Sequence, residues 1–564
     1  MDNQSTTICI AGEAGQGLDT LGQMLSKALV RSGYEILVSQ NYMSRIRGGH
    51  NFYAIRAGRS EIMAPAERID ILVAFNEESI DKHKDELVQN SLVICEAGLD
   101  KEVLVSQMSV PFKELVQERI LDNTVVLGCL SAVLNLDKSI VSNLVKETLG
   151  KSHADLVEKN KQALDKGIEW TQKQAIEISF LPSSRSSQDK LMLNASQGIA
   201  LGAIVGGVNF CSFYPMTPAT GVALNLVAHA SQAGIIVEQA EDELAAINMA
   251  IGASFAGAKS LVPTSGGGFA LMSEGISLSG MTETPVVIVL AQRPAPATGL
   301  PTRTEQADLE LALFSGHGEF PRAVFSPGTP EECFYLTYKA IELAERYQSP
   351  VIILSDQYLA DSYRAVDPFD LDWLPGISQP ETSVSETEPY QRYEFTANGV
   401  SPRLIPGFDK HLVVADSDEH SPDGHITEDQ TVRKKMVEKR LAKNQGLMKS
   451  IVPPEVFGDQ EADLLLLSWG SSKGAIHEAA IHLREQGQKV KTIHFSQVWP
   501  LDKDDFLPHL RAAGQVVAVE GNATGQLAKL IKQETGFDIP RIIHRYDGLP
   551  FTADFILRAS KDSA

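Results

Sequence analysis

Four short stretches of the 564-residue chain carry residue types that could do chemistry, and each follows or ends a β-like run. The first is Phe213-Tyr214-Pro215-Met216-Thr217-Pro218-Ala219-Thr220. Two prolines fix φ on either side of Met216-Thr217 and remove two backbone donors, so the segment reads as a rigid bend. A hydroxyl held there, beside the start of a helical pattern, can donate to an anion; a loop that merely turns the chain is the plainer alternative. The second stretch is Glu241-Asp242-Glu243, which ends the β-rich run 234–240 and precedes an apolar small-residue helix over 244–258. The third is the bend Thr264-Ser265-Gly266-Gly267-Gly268, and the fourth is Gln292-Arg293 at the end of the apolar run 285–291. An Arg at the carboxyl end of a parallel strand points into the same crevice as Thr217 and Glu241. Its planar fork suits two-pronged capture of a carboxylate.

The elements that must position these groups form an α/β pattern. Residues 1–180 read as a first α/β domain, with strand 7–11 running into Gly12-Glu13-Ala14-Gly15-Gln16-Gly17 and then a helix. Such a turn can receive a phosphate on its free amides, but the Gly-x-x-Gly-x-Gly spacing is not the dinucleotide fingerprint, and a tight packing turn explains it equally well. A compact basic loop follows, Tyr42-Met43-Ser44-Arg45-Ile46-Arg47-Gly48-Gly49-His50, with a solvated charged loop as the alternative. The polar, Ser-rich segment 180–190 is a linker. A doubly wound domain is expected over 191–370, a structured linker over 371–455, and a further βα repeat over 456–564. Within that linker, 431–449 reads as a basic helix forming a solvated arm or a subunit contact.

The four stretches, in this order and spacing, resemble the α subunit of 2-oxoacid:acceptor (ferredoxin) oxidoreductases, and the first domain resembles the γ subunit of the same enzymes. The carboxyl-terminal repeat resembles the last domain of transketolase-like chains. The resemblance implies a fused γ–α chain with a γ-type domain, a thiamine pyrimidine-binding domain and an assembly domain. It implies thiamine diphosphate with Mg²⁺ as cofactor and oxidative decarboxylation of a 2-oxoacid with coenzyme A to acyl-CoA, carbon dioxide and reduced ferredoxin. The implied site has Glu241 sharing a proton with the aminopyrimidine ring, with Glu243 as its competitor. Thr217 and Arg293 would contact the substrate, and Tyr214, Pro215, Ser265 and Gly266 would lie along the cofactor. Gly15, Gly17, Arg45 and Arg47 would lie near the coenzyme A path. The fused layout leans towards 2-oxoglutarate, with pyruvate or branched-chain 2-oxoacids as alternatives.

No Gly-Asp-Gly…Asn diphosphate motif and no Cys-x-x-Cys spacing occur in the chain. The five cysteines are far apart in mostly apolar runs, so no cysteine-ligated cluster can be assembled here unaided. The diphosphate, its Mg²⁺ and a [4Fe–4S] cluster are therefore expected on a partner β subunit, in an αβ heterodimer or its dimer, and no metal is assigned to this chain. A net charge of −22 argues against nucleic acid and anionic membranes as partners. The opening residues lack a signal pattern, which makes the cytoplasm the expected location. A non-oxidative thiamine-dependent decarboxylase or transferase, or a non-catalytic scaffold subunit, are the competing classes.

Overall fold

The computed structural model describes residues 5–43, 49–99, 101, 103–149, 156–174, 180–181, 189–380 and 389–561. The chain divides into two compact units: Met1–Leu193 with Ser362–Phe369 and Thr552–Phe555, and Asn194–Asp361 with Asp370–Phe551 and Ile556–Ala564. Among the described residues no helix is long and apolar enough to cross a membrane.

In the first unit, β1 (Ser5–Glu13) is central to an eight-stranded sheet. It pairs antiparallel with β3 (His50–Gly58) and parallel with β4 (Ile69–Ala74). β2 (Glu35–Asn41) lies beyond β3, and β5 (Leu87–Glu96) and β6 (Ser106–Val110) lie beyond β4. The far edge holds β7 (Leu191–Leu193) and the strand Arg364–Val366. That last strand, expected in the second domain, therefore completes the first sheet. The helix Leu18–Arg31 follows β1 and buries Leu21, Leu25, Ala28 and Leu29. Its entry needs Gly17, whose φ of 75° lies in the left-handed region that a β-carbon disfavours.

The second unit holds the expected doubly wound sheet. Its strands are β8 (Phe210–Phe213), β9 (Ile236–Gln239), β10 (Ser260–Thr264), β11 (Val286–Gln292), β12 (Ala323–Phe325) and β13 (Pro350–Asp356), in the order β12-β13-β11-β10-β8-β9. The six pair in parallel; a short strand, Gln497–Trp499, adds antiparallel at β12. β11 shows why both faces are covered. Val286, Ile288 and Leu290 enter one apolar cluster, which includes residues of the helices Glu243–Phe255 and Leu309–Phe314. Val287 and Val289 enter another, which includes residues of the helices Ala195–Val205 and Pro330–Tyr347. A strand buried on both faces must be apolar throughout, which is how this one reads. A five-stranded sheet with Leu464–Trp469 at its centre shares the first of these clusters.

The basic helix expected over 431–449, as a solvated arm or a subunit contact, is observed as Gln430–Met448, and Lys439, Arg440 and Lys443 are buried within this chain rather than solvated. Lys439 Nζ meets Glu283 Oε1 at 2.6 Å, and Lys443 Nζ meets Oε2 at 2.5 Å. Arg392 Nη2 donates to the Glu283 carbonyl at 2.7 Å. Burial pushes the Glu283 carboxyl up, but the Lys443, Lys439 and Arg392 cations outweigh it and hold the pKa well below the usual carboxylate range. Breaking one partner of such a buried group leaves an uncompensated charge and costs about 3–5 kcal/mol.

Candidate active site

The strand order brings all four chemistry-bearing stretches to the carboxyl ends of adjacent strands, because β11, β10, β8 and β9 are consecutive in the sheet. Such ends form the crevice where open parallel sheets bind ligands. β8 feeds the Tyr214–Pro218 bend, which contains a cis Thr217–Pro218 peptide and passes into the helix Thr220–Ala233. Tyr214 and Pro215 are exposed, and Thr217 is half-buried.

Arg293, at the end of β11, donates from Nη1 to the backbone carbonyl of Thr217 at 2.6 Å. The contact reaches the Thr217 carbonyl and leaves its hydroxyl out. Arg293 is buried, and burial lowers its pKa while Asp308 opposes the shift. One edge of the guanidinium is thus fixed by the bend.

The acidic triplet resolves into three roles. Asp242 is the N-cap of the helix Glu243–Phe255, its side chain accepting from Ala245 N–H at 2.7 Å. An Asp cap puts the residue before it outside the helix and the residue after it in the first turn. Accordingly Glu241 is exposed, whereas Glu243 is only 4% exposed. The structure departs here from the sequence reading, which favoured Glu241 by its place at the strand end. The Glu243 carboxylate lies over Gly268, where a β-carbon would fall 2.7 Å from Oε1 and 2.3 Å from Thr264 Oγ1. Glu243 Oε1 is buried and accepts no hydrogen bond.

The third stretch starts a helix, Gly266–Leu271, where the sequence suggests only a bend. Ser265 is fully buried and its hydroxyl has no partner. Gly266 packs against Asp308, whose Oδ2 would be 2.6 Å from a β-carbon there. Asp308 Oδ2 is also buried without a partner. Glu243, Ser265 and Asp308 therefore bring three unpaired oxygen atoms to one glycine-rich bend. A buried polar atom left unpaired is unfavourable by about 1–3 kcal/mol, which makes the cluster a place for a ligand with complementary donors.

Two glutamines hold the loop that connects Arg293 to Asp308. Gln292 Oε1 accepts from Asp308 N–H at 3.0 Å. Gln306 donates from Nε2 to the Trp469 carbonyl at 2.9 Å and accepts from Gly521 N–H at 3.0 Å. Asp308, Gln292 and Gln306 received no role from the sequence alone. The signal for Glu243 was available in the Asp cap and in the glycine run opposite it.

In the first unit, Gly15 and Gly17 line a cavity of about 330 Å³ with Glu13, Asn41, Tyr42 and Phe52. Asn123 Nδ2 closes the turn by donating to the Gln16 carbonyl at 2.8 Å. Arg45 and Arg47 lie outside the described residues. His317 is exposed and pairs with Glu274 at 2.8 Å, away from the bend cluster.

Residues 7–170 match a family described as pyruvate ferredoxin/flavodoxin oxidoreductase. Residues 201–439 match one described as pyruvate flavodoxin/ferredoxin oxidoreductase, thiamine diphosphate-binding. The chain is 32% identical to a 2-oxoacid:ferredoxin oxidoreductase subunit alpha from Sulfolobus sp., over 97% of this chain and 95% of that one. It is 29% identical to the 2-oxoglutarate oxidoreductase subunit KorA of Mycobacterium tuberculosis, over 98% and 91%. A solved 2-oxoglutarate:ferredoxin oxidoreductase from Magnetococcus marinus, with 2-oxoglutarate, coenzyme A and succinyl-CoA bound, superposes with a TM-score of 0.93 at 32% identity, covering 99% of each chain.

Proposed function

The chain belongs to the 2-oxoacid:ferredoxin oxidoreductases as an alpha-type subunit, and from that premise we propose how its own residues serve the reaction. It is a subunit of an enzyme that uses thiamine diphosphate and coenzyme A. The residues present fit the aminopyrimidine end of the cofactor: a buried carboxylate with one unpaired oxygen faces a bend kept open by glycine. What thiamine diphosphate supplies when bound is a nucleophilic carbon that adds to a 2-oxoacid and accepts the electrons left when carbon dioxide departs.

Glu243 presents Oε1 to the ring and shares a proton with it there. Burial keeps water from competing for that hydrogen bond. Glu241, exposed and outside the helix, has no part in this. Ser265 and Gly266 border the ring, and Tyr214 and Pro215 border its outer edge. Arg293 binds the substrate carboxylate with the guanidinium edge that Thr217 leaves free, and the Thr217 hydroxyl adds a second donor. An unpaired carboxylate in such a crevice would be unfavourable by several kcal/mol, so a cation must meet it.

The substrate is 2-oxoglutarate, as in the superposing enzyme. The Gly15–Gly17 turn and its cavity take part of coenzyme A. The diphosphate with Mg²⁺ and a [4Fe–4S] cluster belong to a partner β chain, and ferredoxin accepts the electrons. Leu224, Val227, Ile236, Leu244 and Met249 are exposed on the elements that carry the site, which supports a partner covering that face.

The observation that carries this reading is the unpaired, buried Glu243 carboxylate beside Gly268. The test is co-production with the β chain, an iron assay, and viologen reduction with coenzyme A across a panel of 2-oxoacids. The complex should contain iron and oxidise 2-oxoglutarate fastest, and the chain alone should be inert. Activity of the isolated chain, or another 2-oxoacid preferred tenfold, would overturn the corresponding assignment.

A further inference from the structure

The loop that leaves β11 at Arg293 returns to the same strand end, where Gln292 Oε1 takes the N–H of Asp308 at 3.0 Å. This fixes the Asp308 backbone beside the residue that precedes Arg293. The Asp308 side chain is 7% exposed, its carboxyl rests on Gly266, and Oδ2 accepts no hydrogen bond. Arg293 directs its own bond to the Thr217 carbonyl. Glu305 of its own loop also faces Asp308, and the helix Glu243–Phe255 brings the Glu243 carboxyl to the same bend, against Gly268. The Gly266 bend contributes Ser265, which carries no charge. The helix Gln526–Thr535 contributes the neutral Gln526, bonded to the Ala307 carbonyl and the Glu310 N–H. Burial raises the Asp308 pKa to about 6, against the pull of Arg293.

A substrate carboxylate arriving at Arg293 would stand close to this second carboxyl in a poorly hydrated site. Two like charges there cannot both persist, and the one already nearest neutrality gives way. We propose that Asp308 is a positioning residue that takes up one proton from solvent when the 2-oxoacid carboxylate binds at Arg293, and returns it when that carboxylate leaves. Once protonated, Oδ2 becomes an O–H donor at a buried atom that has no partner. Substrate affinity is therefore coupled to pH through a residue that need not touch the cofactor. The inference rests on Arg293 being the carboxylate anchor.

The experiment uses the cofactor-loaded complex with its partner chain. KM for 2-oxoglutarate is measured from pH 6 to 8.5 in the wild type and in Asp308→Asn. Wild-type KM should rise with pH by up to about tenfold per unit, the limit for one proton, whereas the Asn variant should hold a KM that varies less than threefold. An equal slope in both, or a KM raised equally at every pH, would overturn the proposal. Calorimetry of glutarate binding to the wild-type complex at pH 7.5, in two buffers of different ionisation enthalpy, keeps it testable even if the variant misassembles. Uptake approaching one proton supports the assignment, and no uptake overturns it. Arg293→Ala at a single pH separates the two levels. An unchanged KM there removes the anchor itself, whereas a raised KM with an unchanged Asp308→Asn slope removes only the proton coupling.

Discussion

Glu243 and Gly268 are in direct contact: the carboxylate lies where a side chain at 268 would have to be, 2.7 Å from the position of its β-carbon. Gly268 is in a helical turn, so alanine would be acceptable to the backbone there. Gly268→Ala should therefore act by displacing Glu243 and Thr264. Turnover of the complex should fall by about 10²-fold, the scale of a mispositioned acid–base group. Circular dichroism should show the fold retained. Activity within threefold of wild type would mean that the contact is only packing.

Glu243→Gln and Glu241→Gln should separate cleanly. The first should leave the complex assembled and abolish hydrogen–deuterium exchange at the cofactor's reactive carbon, with turnover lowered roughly 10²-fold or more. The second should leave exchange near normal, because Glu241 is exposed and lies outside the helix. The reverse pattern would return the role to Glu241.

At the substrate end, Arg293→Ala should raise KM for every 2-oxoacid while thiamine diphosphate affinity is unchanged. Thr217→Val retains the carbonyl that Arg293 uses and removes only the hydroxyl, so its penalty should be smaller, about 1–3 kcal/mol in kcat/KM. If Arg293→Ala weakened only dicarboxylic substrates, the guanidinium would be reading the distal carboxylate, and Arg303 would be the next residue to test.

A fourth expectation concerns acid stability. His50 Nε2 lies 2.9 Å from His83 Nε2, and His83 Nδ1 lies 2.7 Å from Glu86 Oε2. Burial first, and the charge of His83 next, lower the His50 pKa to about 4. The unfolded chain takes up this proton near pH 6.5, but the folded chain resists it until about pH 4. Stability should therefore fall as pH drops through that window, by on the order of 2–3 kcal/mol from this group. Thermal unfolding of the chain between pH 4 and 7 measures it, and His50→Gln should flatten the slope. An unchanged slope would place the acid sensitivity elsewhere.

Much of the architecture could be read from apolar patterning. β11 is apolar throughout because two apolar clusters claim alternate residues, and its run, 285–291, stands out for that reason. The crevice was legible too, since Thr217, Ser265 and Arg293 each follow a strand. The acidic triplet was harder: counting from the strand end favours Glu241, and only the cap at Asp242 rotates Glu243 inward. The helix Gln430–Met448 has buried cations where a solvated arm was one expectation, because a run of cations reads as solvated unless the buried anion is known. That anion, Glu283, is supplied 156 residues upstream of Lys439. Asp308 was invisible for a similar reason, as its setting depends on Gly266 and Gln292 converging in three dimensions.

The same separation matters while the protein is being made. Glu283 leaves the ribosome well before Arg392, Lys439 and Lys443, which are the groups that neutralise it. A nascent chain that has reached only the end of β13 already contains the parallel strands of the catalytic sheet, yet lacks the Arg392 segment and the helix Gln430–Met448 that neutralise Glu283. Final consolidation of that sheet is thus deferred until the segment through residue 443 has emerged. Stalled or prematurely terminated chains should be recognised as unfinished by the cell's quality control. An expression fragment cut at residue 370 should likewise be insoluble, despite carrying every residue assigned here to the cofactor and the substrate.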